Sequence, residues 1–222
     1  MQETFNISSV DDLFARADSQ SEKVSVEFKQ TIKLYYIVRY FVSLYEAHSK
    51  QLPIQVWNEY RNAFDHFARH LTNKEKNHLK KLEGHIQRAA LDVCKFLCLY
   101  FDDDIDVKLK NYTIEVLNLV DNGSFLTSIQ KSHEEAKNNL KEAKQMDSKL
   151  GDDATANSEI LRKYSESVFL FLKTEGEFSN NVKEINRAKY NHKMLKKTGL
   201  RENILIAIVS AVVGSFLTWL FT

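Results

Sequence analysis

Residues that interrupt helices are scarce in this chain, which has one proline and six glycines among 222 residues. In a helix interior, proline costs about 3 kcal/mol and glycine about 1 kcal/mol relative to alanine. Their scarcity favours long, uninterrupted helices, and we therefore predict an all-α fold built as a helical bundle. An excess of charge of one sign is also lacking, because 31 basic and 30 acidic side chains leave a net charge of +1. The chain as a whole has no field that would select nucleic acid.

Cysteine is rare, and the two cysteines, Cys94 and Cys98, lie four positions apart in an apolar stretch. On a helix this spacing puts both thiols on one face. A zinc site needs further ligands at characteristic spacings, and none lies nearby. We therefore predict packing thiols in a reducing compartment, and we expect neither a metal nor a cofactor. The first twelve residues are polar and acidic, which is not the pattern of a secretory signal.

Hydrophobic periodicity and capping signals predict seven helices before the apolar C-terminal segment. Their ranges are 9–19, 23–48, 54–71, 73–101, 111–121, 124–146 and a last helix from about 158. Pro53 precedes the third helix, and Thr72 with Glu75 matches a capping box for the fourth. Four aspartates should end that fourth helix, because carboxylates are unfavourable near a helix C-terminus. These are Asp102, Asp103, Asp104 and Asp106. They lack the glycine and the final glutamate of a calcium loop, so we predict a solvated turn.

The chain divides into four predicted segments. They are a helical domain at 1–146, a loop at 147–157, an amphipathic helix with a basic stretch at 158–201 and a transmembrane helix at 202–222. Apolar residues of the third segment keep a heptad rhythm: Leu161, Tyr164, Val168, Phe171, Phe178, Val182 and Ile185. This pattern predicts packing either on the helix at 124–146 or on a neighbouring subunit.

Residues 204–221 carry no charge and are mostly apolar. Eighteen helical residues span about 27 Å, close to the hydrocarbon thickness of about 30 Å. We predict a single transmembrane tail anchor. Basic residues precede it and no charge follows it, which predicts that the N-terminal 200 residues are cytoplasmic. Five of these basic residues are expected to contact lipid head groups: Lys189, Lys193, Lys196, Lys197 and Arg201.

Small residues cover one face of the predicted anchor on a helical wheel. They are Ala207, Ser210, Ala211, Gly214, Ser215 and Thr218. Small residues four apart let helices approach closely, so we predict a homo-oligomer. The face fits either a dimer seam or a ring whose hydroxyl groups line a narrow pore.

One chemical signature stands in the third helix, where Arg61, Asn62 and His66 follow the order Arg, polar residue, three further residues, His. The segment resembles the motif of the HEPN superfamily of small helical domains, many of which are ribonucleases in toxins and antiviral systems. The resemblance implies that two subunits bring Arg and His together around an RNA phosphate. His66 would act as general acid or base, Arg61 would hold the phosphate and Asn62 would orient the pair, with no metal. The loose motif also matches Arg187 and His192.

A helical wheel of the third helix separates two faces. The apolar stripe consists of Trp57, Tyr60, Phe64, Phe67, Ala68 and Leu71, and polar residues cover the other side. Arg61 and His66 are about 140° apart on a regular helix, so convergence on one phosphate needs a broken helix or a second subunit. The alternative is a solvated face on which Arg61 and Asp65 form an ordinary ion pair.

Three functions fit these features. The first is an antiviral effector in the bacterial inner membrane, which self-associates, depolarises the membrane and responds to RNA or an RNA-guided complex. Its layout is similar to that of membrane-anchored accessory proteins of RNA-targeting CRISPR systems, although their anchor lies at the other end. The second is a membrane-tethered, metal-independent endoribonuclease. The third is a non-enzymatic tail-anchored adaptor or tether.

Overall fold

The computed structural model describes the backbone of residues 7–149 and 154–221, and the side chains of 7–149, 158–199, 202–203 and 205–210. The described chain consists of helices and short connections without a strand, which confirms the all-α prediction. The helices are α1 (Val10–Ser21), α2 (Lys29–Ser49), α3 (Ile54–Asn73), α4 (Lys76–Asn111), α5 (Ile114–Leu117), α6 (Ser124–Lys149) and α7 (Ala154–Phe221), with 3-10 turns at Val26–Phe28 and Val120–Gly123.

Helices α1 and α3 begin where the sequence predicts. The Ser9 hydroxyl accepts a hydrogen bond from the Asp12 amide at 3.1 Å, which caps α1. Pro53 directly precedes α3. Its missing N–H costs nothing there, because the first N–H groups of a helix have no partner within the helix. The predicted capping box at Thr72 does not form, because the Thr72 hydroxyl bonds back to carbonyls of its own helix. Instead Lys74 adopts the left-handed conformation and its amide donates to the carbonyl of His70 at 2.7 Å, which ends α3.

The predicted stop at the four aspartates is wrong, because α4 continues through them to Asn111. Phe101 and Ile105 of this segment are fully buried, so packing holds it helical. Asp102 also accepts a hydrogen bond from Nε2 of His133 at 2.7 Å. His133 lies on α6, and its hydrogen bond offsets the unfavourable interaction of the Asp102 carboxylate with the helix dipole.

The predicted helix at 111–121 is shorter than expected. It forms only as α5 and the following 3-10 turn, in which Asp121 and Asn122 have positive φ angles of 45° and 53°. The predicted loop at 147–157 is also shorter, because α6 reaches Lys149 and α7 begins at Ala154. Residues 150–153 of that loop lie outside the described residues.

The helices form two compact units. The first comprises the described residues up to Asp106 together with Lys131–Gly176. Its core combines apolar faces of α2, α4 and α7, and includes Ile37, Phe41, Leu97, Phe101, Tyr164 and Phe171. The second comprises Val107–Gln130 together with the described residues from Glu177. In it the rings of Phe125 and Phe178 meet edge to face at 5.6 Å.

The heptad residues of α7 in the first unit pack on α6 of the same chain. The Tyr164 hydroxyl donates to Oδ2 of Asp147 at 3.3 Å, and the ring of Phe171 meets that of His133 at 5.8 Å. The first of the two predicted packing partners is therefore confirmed for this segment. The same interface buries both cysteines as free thiols, as predicted, and burial raises the pKa of Cys98 to about 12.

The predicted anchor lies in α7, which runs as one helix to Phe221. Among the residues with described side chains, no helix has a stretch long and apolar enough to span a membrane. The described side chains do not include Arg201, Ile204 or residues 211–222. This last range holds the predicted anchor residues Ala211, Gly214, Ser215 and Thr218. Ala207 and Ser210 are exposed, as are Lys189, Lys193, Lys196 and Lys197. Membrane insertion stays a prediction from the sequence.

Candidate functional site

The motif residues Arg61, Asn62 and His66 lie on one side of α3, and residues on another side of the helix are buried in the protein core. Val56, Ala63 and His70 are the buried residues of α3, seven positions apart, so they form a single line along the helix. The predicted apolar stripe is not part of the core. Trp57 and Phe64 are 48% and 70% exposed. They line an apolar cavity of about 620 Å³ with side chains of α2, among them Tyr35 and Arg39.

Arg61, Asn62 and His66 line one shallow polar depression of about 520 Å³. Asp65, Arg69 and His85 complete its walls. Helix α3 is unbroken from Ile54 to Asn73, so Arg61 and His66 still leave the backbone about 140° apart. They share the depression because it is open and the arginine side chain is long. The structure therefore brings the three predicted site residues together within one chain.

The alternative ion pair of Arg61 with Asp65 is not formed. Asp65 pairs instead with Arg69, at 2.9 Å between Oδ2 and Nε. Within the described residues Arg61 has no salt-bridge partner, and its side chain is exposed. An unpaired guanidinium beside a polar depression is suited to an anion, because its planar donors can bind phosphate or carboxylate oxygens in pairs.

His66 stands in a stack of three imidazoles. Its Nδ1 lies 3.0 Å from Nδ1 of His78, with ring centroids 5.3 Å apart. On another side, the ring of His85 stacks on His66 at 5.3 Å and an interplanar angle of 24°. His78 and His85 are seven positions apart on α4, which places them on one face two turns from each other. Helix α4 thus contributes two of the three stacked imidazoles.

A carboxylate fixes the outer end of this stack. Oε2 of Glu59 lies 2.7 Å from Nδ1 of His85 and 3.1 Å from Nε of Arg88. Burial alone would raise the pKa of Glu59, but the hydrogen bonds from His85 and Arg88 outweigh it, so the pKa is lowered. Glu59 is therefore ionised at neutral pH and anchors α3 to α4 beside the depression.

The surroundings of His66 favour its neutral form. Burial is the main cause that lowers the pKa of His66, and the nearby charges of His85, His78 and Lys81 act in the same direction, against Asp65. A neutral imidazole at pH 7 can accept a proton, which is the state that a general base needs.

Sequence reasoning missed Glu59, His78, His85 and Arg88. Two signals were present. His78 and His85 are spaced by seven residues and His85 and Arg88 by three, so all three share a helix face. Neither spacing shows that this face of α4 packs against α3. That contact becomes visible only in the three-dimensional structure.

Elsewhere in the part of the chain that the structure describes, one group has donor atoms suited to a metal ion. Asp102, Asp106 and His133 offer ligand atoms within 4.8 Å of one another. The Asp102 carboxylate already accepts from His133 and lies 3.6 Å from the Lys137 ammonium, so its charge is compensated by protein groups. The expectation that the chain needs no metal stays a prediction.

Comparisons with family models, with curated proteins and with solved structures give no match to this chain. The resemblance to the HEPN superfamily therefore stays a prediction that depends on the motif around Arg61 and His66.

Proposed function

We propose that the chain is a membrane-anchored antiviral effector that self-associates and permeabilises the bacterial inner membrane. Its HEPN-like cytosolic domain responds to RNA through the depression between α3 and α4. One observation carries this proposal: Arg61, Asn62 and His66 line a single polar depression in which Arg61 is exposed and unpaired within the described residues.

The chemistry of the depression suits a phosphodiester. Arg61 supplies a guanidinium group without an ion-pair partner among the described residues, Arg69 supplies one that is paired with Asp65, and Asn62 supplies an amide that can donate or accept. The depression is open, so an extended strand can lie across it. Since the net charge of the chain is only +1, attraction to RNA has to come from this local group.

The membrane part of the proposal comes from the sequence. The uncharged segment at 204–221 has the length of a membrane span, and its small-residue face fits helix association. Exposed lysines precede it on α7, where they can meet anionic head groups. RNA binding in the depression is the proposed trigger, and assembly of the membrane helices is the proposed output.

A second candidate is a membrane-tethered, metal-independent endoribonuclease. The lowered pKa of His66 favours it, because a neutral imidazole beside Arg61 is suited to take a proton from a ribose hydroxyl. Arg61 would hold the phosphate and stabilise the charge that develops on it, and Asn62 would orient the pair.

Membrane potential in bacteria separates these functions. Three chains are compared: the intact protein, the Arg61→Ala/His66→Ala variant and a chain truncated before Ile204. The effector proposal predicts depolarisation that requires residues 204–222 and is lost or reduced in the double variant. Intact potential with all three chains, in the presence of a viral trigger, would overturn it.

RNA integrity in the same cells tests the second candidate. The tethered ribonuclease predicts loss of total RNA with the intact chain and protection with Arg61→Ala/His66→Ala. Arg187→Ala/His192→Ala is the matched control, because it removes the same residue types at the second motif, and it should leave RNA loss unchanged. If the cells show no depolarisation and no RNA loss, the adaptor function is favoured.

A further inference from the structure

The contact between His66 and His78 uses the same atom of each ring. Their Nδ1 atoms lie 3.0 Å apart, which is a hydrogen-bond distance. A neutral imidazole has one nitrogen with a hydrogen and one without. When both rings are neutral, one Nδ1 therefore donates and the other accepts, and two arrangements are possible.

Glu75 distinguishes these arrangements. Its Oε2 lies 3.7 Å from Nε2 of His78, the nitrogen that does not face His66. A carboxylate at this distance favours a hydrogen on Nε2, since the opposite arrangement would direct an imidazole lone pair at a negative charge. With the hydrogen on Nε2, the Nδ1 of His78 is an acceptor. His66 must then donate from Nδ1, and its own Nε2 carries a lone pair.

The position of Glu75 is fixed by the turn between α3 and α4. Lys74 adopts a left-handed conformation with φ 55°, which turns the chain. The Glu75 carbonyl lies 3.2 Å from Nδ1 of His70 and accepts the amide of His78 at 3.1 Å. His78 itself is largely covered, with 12% of its side chain exposed. The turn therefore holds the backbone of Glu75 beside His78, and from there its carboxylate comes within 3.7 Å of Nε2 of His78.

We propose that Glu75 and His78 are positioning residues that hold His66 in the tautomer with hydrogen on Nδ1, which leaves Nε2 as its proton-accepting atom. The tautomer assignment stands on the geometry alone, and its catalytic meaning rests on the function proposed for the depression. When Nε2 of His66 takes a proton, Nδ1 keeps its hydrogen bond to His78. The new positive charge is then stabilised through His78 by the Glu75 carboxylate.

Other groups face His66 and bear on its protonation. Asp65 comes from α3, and His78, Lys81 and His85 come from α4. The three from α4 lower the pKa of His66 when charged, while Asp65 raises it. These groups change how readily His66 is protonated, whereas only His78 is hydrogen-bonded to the ring within the described residues. The tautomer is therefore assigned to the pair of Glu75 and His78.

Imidazole NMR of the full chain, labelled with ¹⁵N and held in mild detergent at pH 7.5, tests the proposal directly. In the wild type we expect His66 to show hydrogen on Nδ1 and an unprotonated Nε2. His78→Phe keeps an aromatic ring but removes the acceptor, so the dominant tautomer should shift to hydrogen on Nε2, which free histidine favours in water. Glu75→Ala should mix the two tautomers. Asn77→Ala, an exposed neighbour on α4, is the matched control and should change nothing.

Several results would overturn the proposal. One is a wild-type His66 with hydrogen on Nε2, and another is an unchanged tautomer in both His78→Phe and Glu75→Ala. His78→Gln provides a rescue arm, because its amide oxygen can accept from Nδ1, and it should restore the wild-type tautomer. If His78→Phe loses its fold, Glu75→Ala still decides, since the carboxylate is 63% exposed and contributes no core packing.

Activity is measured separately, so that the two proposals can fail independently. If the chain cleaves RNA, His78→Phe should lower kcat on the order of a hundredfold with little change in KM, and His78→Gln should recover part of it. Equal loss in His78→Phe and His78→Gln with an unperturbed tautomer would contradict a positioning role. The expected tautomer without RNA binding or cleavage would refute the proposed function and leave the positioning by Glu75 and His78 established.

Discussion

Removal of the Glu59 carboxylate should loosen the contact between α3 and α4. In Glu59→Ala, His85 loses a partner at 2.7 Å and Arg88 loses one at 3.1 Å. A hydrogen bond to a charged group contributes about 1.5–3 kcal/mol. Arg88 is 55% exposed and His85 only 15%, so the bond to His85 should dominate. We expect a loss of about 2 kcal/mol, or about 4–8 °C in Tm for a chain of this size.

The loss should depend on pH in a defined direction. The pKa of Glu59 in the fold is below its ordinary value of 4.5, so its stabilisation is complete above that pH. It disappears as pH falls through the lowered pKa of the folded state. Urea unfolding followed by circular dichroism, in mild detergent, should therefore show a difference between wild type and Glu59→Ala that shrinks as the pH falls below 4.5.

The matched control is Asp65→Ala, because Asp65 also pairs with an arginine from the polar side of α3. Its pair with Arg69 is exposed on both sides, at 55% and 59%, so the expected cost is below about 1 kcal/mol. Equal costs for Glu59→Ala and Asp65→Ala at pH 7 would refute this reasoning. So would a difference between wild type and Glu59→Ala that grows as the pH falls below 4.5.

Three further outcomes are expected. Cys98 should resist iodoacetamide at pH 8 until the protein unfolds, since burial raises its pKa to about 12, and mass spectrometry would detect early alkylation if this is wrong. Ala63→Leu should lower the free energy of unfolding in urea by about 1–3 kcal/mol, because Ala63 is only 2% exposed. Phe64→Ser should change it by less than about 0.5 kcal/mol, because Phe64 is 70% exposed. In detergent-stable oligomers sized by light scattering, Gly214→Ile should reduce assembly and Val209→Ile, on the opposite face, should not.

Local signals predicted the starts of α1 and α3, whereas contacts distant in sequence bear on where α4 ends. Ser9 and Pro53 act on the next few residues, so their effect is readable from the sequence. The continuation of α4 past Asp102 goes with the burial of Phe101 and Ile105 and with the contact of Asp102 to His133, 31 residues further along the chain. No pattern around the aspartates indicates this partner. The capping box at Thr72 did not form because α3 continues through Thr72 and ends only at the left-handed Lys74.

The candidate site was predictable only for the motif residues of α3. Arg61, Asn62 and His66 form one short motif, and the structure places them in one depression. His78 and His85 lie on the following helix, where they look like ordinary polar positions. They reach His66 because the turn after α3 returns the chain, which puts His78 within 3.0 Å of a residue twelve positions earlier.

The way α3 is held bears on how this protein can evolve. Only Val56, Ala63 and His70 of its twenty residues are buried, one in every seven. Substitution at its exposed positions meets little resistance from packing, because surface changes usually alter stability within about 0.5 kcal/mol. Both the polar depression and the exposed aromatic side can therefore diverge between lineages while the fold persists. The residues that α3 presents to solvent can thus change without a prior gain in stability elsewhere in the protein.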